Sequence, residues 1–341
     1  MKNIWLDGVM GVAVGDALGL PVQFMRREDL KKNPVTGMRP CTPFDSPIGT
    51  WSDDTAMTAA MVESIKRLGV VDAEDIMKNF VKWHDNGSFS ANDVCIDEGV
   101  TCGSAIENYK KSGDILTCGK TGEYANGNGS LMRTLPVCLY YAEKLRTVAV
   151  TFRGMVRKKA VLEEAVDKIH EVSALTHNHW RAKIACGYYF FMVLSVLYGE
   201  GDLKTRIESG LNQAKRYYIR RFILMVDRPK MLELEEHIQL TKELFDHFAL
   251  IDLNEIAERD EGQIKSSGYV VDSFWASVWA LVTTTNYRDA MLAAVNLGDD
   301  TDTIAAIAGG LAGLYYGYDS IPVEWLEVLR KREWLEQLVN Y

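Results

Sequence analysis

Ser52-Asp53-Asp54-Thr55-Ala56-Met57-Thr58-Ala59-Ala60-Met61-Val62-Glu63-Ser64-Ile65-Lys66-Arg67-Leu68-Gly69 is the stretch that decides the fold class of this 341-residue chain. A capping serine and two acids open it, where the helix dipole favours negative charge. Met57, Met61, Ile65 and Leu68 then recur at spacings of three and four, and Gly69 closes it as a C-cap. The same reading predicts helices over 71–84 (Ile76, Phe80 and Trp83 on one face), 161–172, 182–198, 270–282 and 287–297. No alternating strands with hairpin turns and no βαβ rhythm occur. The fold class is therefore all-α.

Two helices are unusual in their small residues. Gly8, Gly11, Gly15 and Gly19 fall at helical spacing before Gly19-Leu20-Pro21 stops the helix. Ala305, Ala308, Gly309, Ala312 and Gly313 do the same over 304–317. Such surfaces suit close backbone approach, so both belong in the centre of a bundle. No fixed period repeats along the chain, which excludes a solenoid. Residues 199–252 are more charged and are expected to form peripheral amphipathic helices. Within them Lys215 to Phe222 mixes bases with aromatics, as a nucleic-acid site does, but the acidic balance favours a solvated helix face.

With 47% hydrophobic and 25% charged residues, the composition is that of an ordinary globular chain. The net charge of −9 argues against binding a polyanion, so no nucleic-acid partner is expected. The six cysteines show no metal-ligand spacing and read as free thiols of a reducing cytoplasm. Asp7 and Asp16 interrupt any secretory apolar core, and the apolar run 184–198 is short for a bilayer. A cytoplasmic protein with no membrane partner is the expectation, acting as a monomer.

Chemistry is concentrated in two acidic clusters, Ser52-Asp53-Asp54-Thr55 and Asp299-Asp300-Thr301-Asp302-Thr303. Capping alone accounts for one such cluster, but three carboxylates in four residues exceed what a cap needs. If the fold joins the clusters, hard divalent cations are the natural neutralising partners. Neither cluster has the glycine and distal glutamate of an EF-hand loop. Between them, Asn126-Gly127-Asn128-Gly129-Ser130 is a turn whose amides and side chains could converge on a phosphate. Thr176-His177-Asn178-His179 lacks a third zinc ligand, which points to capping or ligand hydrogen bonding. Ser266-Ser267-Gly268-Tyr269 presents an aromatic before a helix, either for the core or to stack on a base or sugar.

Gly15-Asp16-Ala17-Leu18-Gly19, Gly49-Thr50-Trp51-Ser52-Asp53-Asp54-Thr55, Gly127 to Arg133, Thr176-His177, Ser267-Gly268-Tyr269 and Gly298 to Thr303 occur in that order. Together they resemble the ADP-ribosylglycohydrolase family from about residue 5 to 317. The resemblance implies a single domain over 1–341, an orthogonal helical bundle with a two-metal centre in a central cleft. The ions would be magnesium, or manganese in some members. Ser52, Asp53, Asp54, Asp300, Asp302 and Thr303 match the metal ligands, while Asp299 stands where relatives carry glycine. Asn128, Gly129 and Ser130 match the diphosphate loop, His177 a residue near the adenosine ribose, and Gly268 with Tyr269 the loop beside adenine. Asp97 is a looser match to a loop at the distal ribose.

The implied activity is hydrolysis of the glycosidic bond that joins ADP-ribose to a protein side chain or small molecule. Asp53 and Asp302 are the candidates to take the proton of the attacking water. One departure stands out. Many relatives carry glutamate where this chain has Gln23, a residue that hydrogen-bonds a ribose hydroxyl but holds no proton. The competing expectations are a catalytically weak or inactive ADP-ribose-binding or structural relative on the same scaffold, and a metal-dependent hydrolase of another ribosyl or nucleotide-like compound.

Overall fold

Each of those periodicities is a helix in the computed structural model, which describes residues 3–148, 152–223 and 234–340. In chain order the helices are α1 (Ile4–Gly19), α2 (Arg27–Lys32), α3 (Asp53–Leu68), α4 (Ala73–Asn86), α5 (Val100–Ser112), α6 (Leu135–Arg146), α7 (Phe152–Ala174) and α8 (Trp180–Tyr198). They continue as α9 (Leu203–Tyr218), α10 (Leu234–Leu244), α11 (Leu253–Ala257), α12 (Val270–Val282), α13 (Tyr287–Val295), α14 (Thr301–Tyr316), α15 (Val323–Val328) and α16 (Arg332–Asn340). Only isolated bridges, such as Gly127 with Tyr269, interrupt this all-α pattern among the described residues.

The local signals act as read. Ser52 Oγ accepts from the Asp54 amide at the start of α3, and Gly69 ends it in a left-handed conformation with its N–H on Ile65 O. One boundary differs: α7 begins well before residue 161. Its first turns carry Arg157, Lys158 and Lys159 and expose Met155 and Val156, so no apolar face announces them.

α1 and α14 are pressed together without a side-chain layer. A Cβ on Gly11 would lie 2.2 Å from Gly309 O, and one on Gly309 would lie 2.2 Å from Gly11 O. A Cβ on Gly15 would meet Ala305 O at 2.2 Å, and one on Gly19 would meet Asp302 Cα at 2.4 Å. Around this pair, Val9, Val12, Ile304, Ile307 and Leu311 are buried in one continuous core that runs from Trp5 to Val339. Each such aliphatic side chain contributes roughly 1.5–3 kcal/mol. Ile4–Val22 is apolar and long enough to cross a membrane, yet 89% of its most apolar window is buried inside the protein. All six cysteines are free thiols.

The charged segment 199–252 is less peripheral than expected; residues 224–233 of it lie outside the described residues. Leu240, Glu243, Leu244 and Phe248 are buried. Tyr218 and Phe222, from the basic-aromatic stretch, pack on Tyr188 and on His170 and Trp180. Those aromatics serve the core, which also accounts for their periodicity.

Candidate active site

The α1–α14 contact carries Asp16 and Asp302 to one place, and α3 adds its N-terminus. Asp16 accepts from the Ser52 amide at 2.8 Å and from the Thr55 amide at 3.0 Å. Ser52 Oγ donates to Asp54 Oδ2 at 3.0 Å, and Thr303 Oγ1 reaches the same oxygen at 3.5 Å. The two acidic clusters therefore meet. Carboxylate oxygens of Asp16, Asp54 and Asp302 lie within 4.8 Å of one another, and all three residues are fully buried.

Such a cluster is electrostatically unfavourable by itself. Burial, then the neighbouring Asp16, Asp53 and Asp300, pushes the Asp54 carboxyl well above the usual range. Asp302 is pushed up by burial and by Asp300, Asp54, Asp97 and Asp16. Asp53 is raised by burial and by Asp97, Asp16 and Asp300. Burial raises Asp16 to about 6 even against hydrogen bonds from Thr55 and Ser52. Asp54 Oδ1 and Asp302 Oδ2 are buried without a hydrogen-bond partner. Two unpartnered carboxylate oxygens beside hydroxyls are the donor set a hard divalent cation takes. The residues fit such an ion.

Above them opens a cleft of about 240 Å³ lined by Gln23, Asp53, Asp97, Gly127, Asn128, Gly129, His177, Gly268, Asp300 and Thr303, among others. Ser52, Asp54 and Asp302 are not on this wall; they lie beneath it, at 1%, 0% and 0% exposure. Gln23 Nε2 donates to Asp97 Oδ2 at 2.6 Å, so the glutamine fixes an acid that burial has raised to about 6. Asp97 itself sits in a left-handed backbone at φ 58°, an unfavourable conformation that turns it toward the cleft. Asp299 has an exposed side chain and uses its backbone instead, bonding to Phe24 and Met25 and holding the Gln23 segment in place.

The opposite wall is built from two loops paired to each other. The Asn128 amide donates to Gly268 O at 3.0 Å and the Val270 amide to Asn126 O at 2.9 Å. The side-chain donors that the sequence reading offers to a ligand, those of Asn128 and Ser130, are turned inward in this structure. Asn128 Nδ2 donates to Asp300 Oδ2 and to Ser273 Oγ, and Ser130 Oγ accepts from Ser173 Oγ at 2.9 Å. Both side chains are buried, and internal acceptors or donors claim them; Ser130 does not line the cleft. What the loop presents to the cleft is Gly127 and Gly129 backbone with Asn128 between them.

His177 closes this wall. Burial, with Arg133 adding, lowers its pKa to about 3, so the ring is neutral. Arg133 Nη2 donates to Thr176 Oγ1 at 2.8 Å, which leaves the Thr176 hydroxyl proton for His177 Nδ1, also at 2.8 Å. That assigns His177 the Nε2–H tautomer, a donor beside Gly127. His179, by contrast, caps α8. Tyr269 borders an adjacent depression that shares Gly127 and Gly268 with the cleft.

Two functional residues carry no role in the motif reading. Asp16 is the hub on which the first cluster is built; its signal is an acid inside an apolar small-residue helix. Arg133 is fully buried over Phe80, and its Nε donates to Gly129 O at 3.0 Å. Its signal is a cation that directly follows the glycine loop.

Known proteins resemble this chain in sequence and fold. Residues 5–341 match the model of the ADP-ribosylglycohydrolase family. The chain is 29% identical to ADP-ribosylarginine hydrolase Tri1 of Serratia proteamaculans, over 97% of this chain and 76% of that protein. It is also 29% identical to the ADP-ribosyl-[dinitrogen reductase] glycohydrolase of Rhodospirillum rubrum, over 95% and 89%. A solved structure described as an ADP-ribosylglycohydrolase-related protein complex superposes with a TM-score of 0.68 at 25% identity, covering 99% of this chain and 95% of that one. By its fold, its ordered motifs and these matches, the chain belongs to the ADP-ribosylglycohydrolase family and is a hydrolase.

Proposed function

We propose that this chain removes ADP-ribose from arginine side chains of proteins, by metal-dependent hydrolysis of the N-glycosidic bond at the distal ribose. The observation that carries this reading is the pair of buried, unpartnered oxygens, Asp54 Oδ1 and Asp302 Oδ2, beneath a cleft walled by glycine backbone. The arginine linkage is supported by the activity named for Tri1.

Ser52, Asp54, Asp300, Asp302 and Thr303 would hold divalent ions, magnesium or manganese, with Asp53 at their edge. Bound there, the metal would supply Lewis-acid polarisation and a water acidic enough to ionise near neutral pH. Asp53 lines the cleft and accepts the proton of the attacking water; Asp302, buried beneath it, is the second candidate for that role. Asp97, held by Gln23, orients the hydroxyls of the distal ribose. The ring passes through an oxocarbenium-like state, whose positive charge the surrounding acids favour. As the C–N bond breaks, the guanidine departs with the bonding pair and takes up the proton that Asp53 received from water, leaving as a guanidinium ion. Gly127 and Gly129 bring backbone close to the diphosphate, His177 Nε2–H donates to an oxygen nearby, and Gly268 with Tyr269 receives the adenosine.

The test is release of ADP-ribose from an ADP-ribosylarginine protein, followed by chromatography. Release is expected with magnesium or manganese and not with excess chelator. Undiminished release in chelator would overturn the metal role; ADP-ribose binding with no release under any metal would reduce the protein to a binder.

A further inference from the structure

At the depression that adjoins the cleft, a charge network with Arg181 and Glu243 buried at its centre ties the two wall loops to α10. Arg181, in the first turn of α8, is 6% exposed. Its Nε and Nη2 donate to Glu243 Oε2 and Oε1 at 2.5 and 3.1 Å, and its Nη1 and Nη2 to Glu123 Oε1 and Oε2 at 2.7 and 3.3 Å. One rigid guanidinium thus bridges two carboxylates, a geometry lysine cannot reproduce. Glu123 opens the turn Glu123–Ala125, which leads directly into the Asn126 to Ser130 loop. The Tyr269 ring lies 5.5 Å from the guanidinium carbon, and the His247 ring meets it edge to face at 6.4 Å. His247 Nε2 in turn stands 3.3 Å from Glu243 Oε2, and the His179 ring meets Gln239 of α10 at 2.8 Å.

Both loops that face the nucleotide end are therefore fastened to the same side chain, and the fastening is completed by α10. We propose that Arg181, braced by Glu243, is a positioning residue that sets affinity for the nucleotide half of the substrate without touching the reacting atoms. This rests on the proposed function, because it takes the Gly268–Tyr269 wall as the adenosine side. It gives the charged segment 199–252 a functional part, that of tuning nucleotide binding from behind the wall.

Three variants test it: Arg181→Met, Glu123→Gln, and the double variant Arg181→Met/Glu243→Leu, which leaves no unpaired buried charge. For each, KM and kcat are measured on ADP-ribosylarginine, with inhibition by ADP-ribose, AMP and ribose 5-phosphate, after circular dichroism confirms folding. The double variant is expected to raise KM and the inhibition constants of ADP-ribose and AMP about tenfold, with kcat within about twofold and ribose 5-phosphate inhibition unchanged. Glu123→Gln, at an exposed position, should shift the same constants less. A folded double variant with wild-type AMP and ADP-ribose inhibition, or one that loses kcat at constant KM, overturns the proposal. Absence of ADP-ribose inhibition in the wild type would instead overturn the functional reading on which it stands.

Discussion

The Thr55 hydroxyl donates to Asp16 Oδ2 at 2.6 Å across 39 positions of sequence. That bond joins α3 to α1 at the point where α14 delivers Asp302. Through it the first acidic cluster is oriented by a residue outside either cluster, and the site becomes the meeting point of three helices.

Asp302→Asn should remove metal-dependent activity while keeping the fold. Differential scanning fluorimetry separates the two effects. Wild-type protein is expected to gain stability with added magnesium or manganese, about 2.7 kcal/mol at a concentration a hundredfold above Kd. The variant should show little metal-induced shift, and in chelator it should melt no lower than wild type, because it relieves repulsion among buried carboxylates. A variant with the full metal-induced shift would remove Asp302 from the ligand set.

Gln23 donates to Asp97 at 2.6 Å, so Gln23→Ala should free that acid and lower kcat/KM about tenfold, as loss of one charge-assisted hydrogen bond does. Gln23→Glu exchanges the donor for a second carboxylate against Asp97 and should be no more active than wild type. Higher turnover in Gln23→Glu would show that glutamine limits this enzyme.

Gly11→Ala places a methyl 2.2 Å from Gly309 O, with backbone rather than a flexible side chain in the way. A loss of about 1–3 kcal/mol or more is expected from such overpacking. Chemical denaturation reads it directly. Gly69→Ala tests a different cause at a position with open space, where the penalty comes only from φ +68°.

Two groups should shape stability against pH in opposite directions. Burial works to raise the Glu243 pKa, but His247 and Arg181 hold it down to about 2. Its folded pKa is depressed, so its contribution is present above the ordinary carboxylate range near 4.5 and lost as pH falls toward 2. Burial opposes charge on His84, yet Glu98 and Glu107 raise its pKa above 6.5. That contribution is complete below 6.5 and disappears as pH rises through the raised value. Glu243→Gln should flatten the acid limb of an unfolding free-energy profile and His84→Gln the limb above 6.5. Unchanged limbs would show that these pairs do not govern stability.

The helices read from the sequence were legible because they carry an apolar stripe, as α3 does from Ser52 to Gly69, or small residues at helical spacing, as α1 and α14 do; α5 and α6 were not among them. The early start of α7 was not legible, since exposed Met155 and Val156 leave no stripe to read. Meeting of the acidic clusters could be anticipated from their charge excess, and Asp53, Asp300 and Thr303 do face the cleft that Asn128 and Gly129 border. The assignment of donors could not. Whether Asn128 points to a ligand or to Asp300 depends on a partner 172 residues away, and Arg181 finds Glu243 62 residues on. Short motifs record which residue types a site uses; burial decides which of their atoms remain free.

The bare contact of Gly11 with Gly309 would bear on which ion the site accepts. Side chains between helices act as cushions that let a socket widen or narrow around what enters it. With peptide against peptide, α1 holds Asp16, and through Asp16 the start of α3 with Asp54, against Asp302 on a frame that yields little, so an opening beside Asp54 and Asp302 would have a nearly fixed bore. A stiff bore discriminates by radius: magnesium asks for oxygens at about 2.1 Å and calcium for about 2.4 Å, with more of them. Three missing side chains in α1, at Gly11, Gly15 and Gly19, would thereby become part of how the protein tells one divalent ion from another.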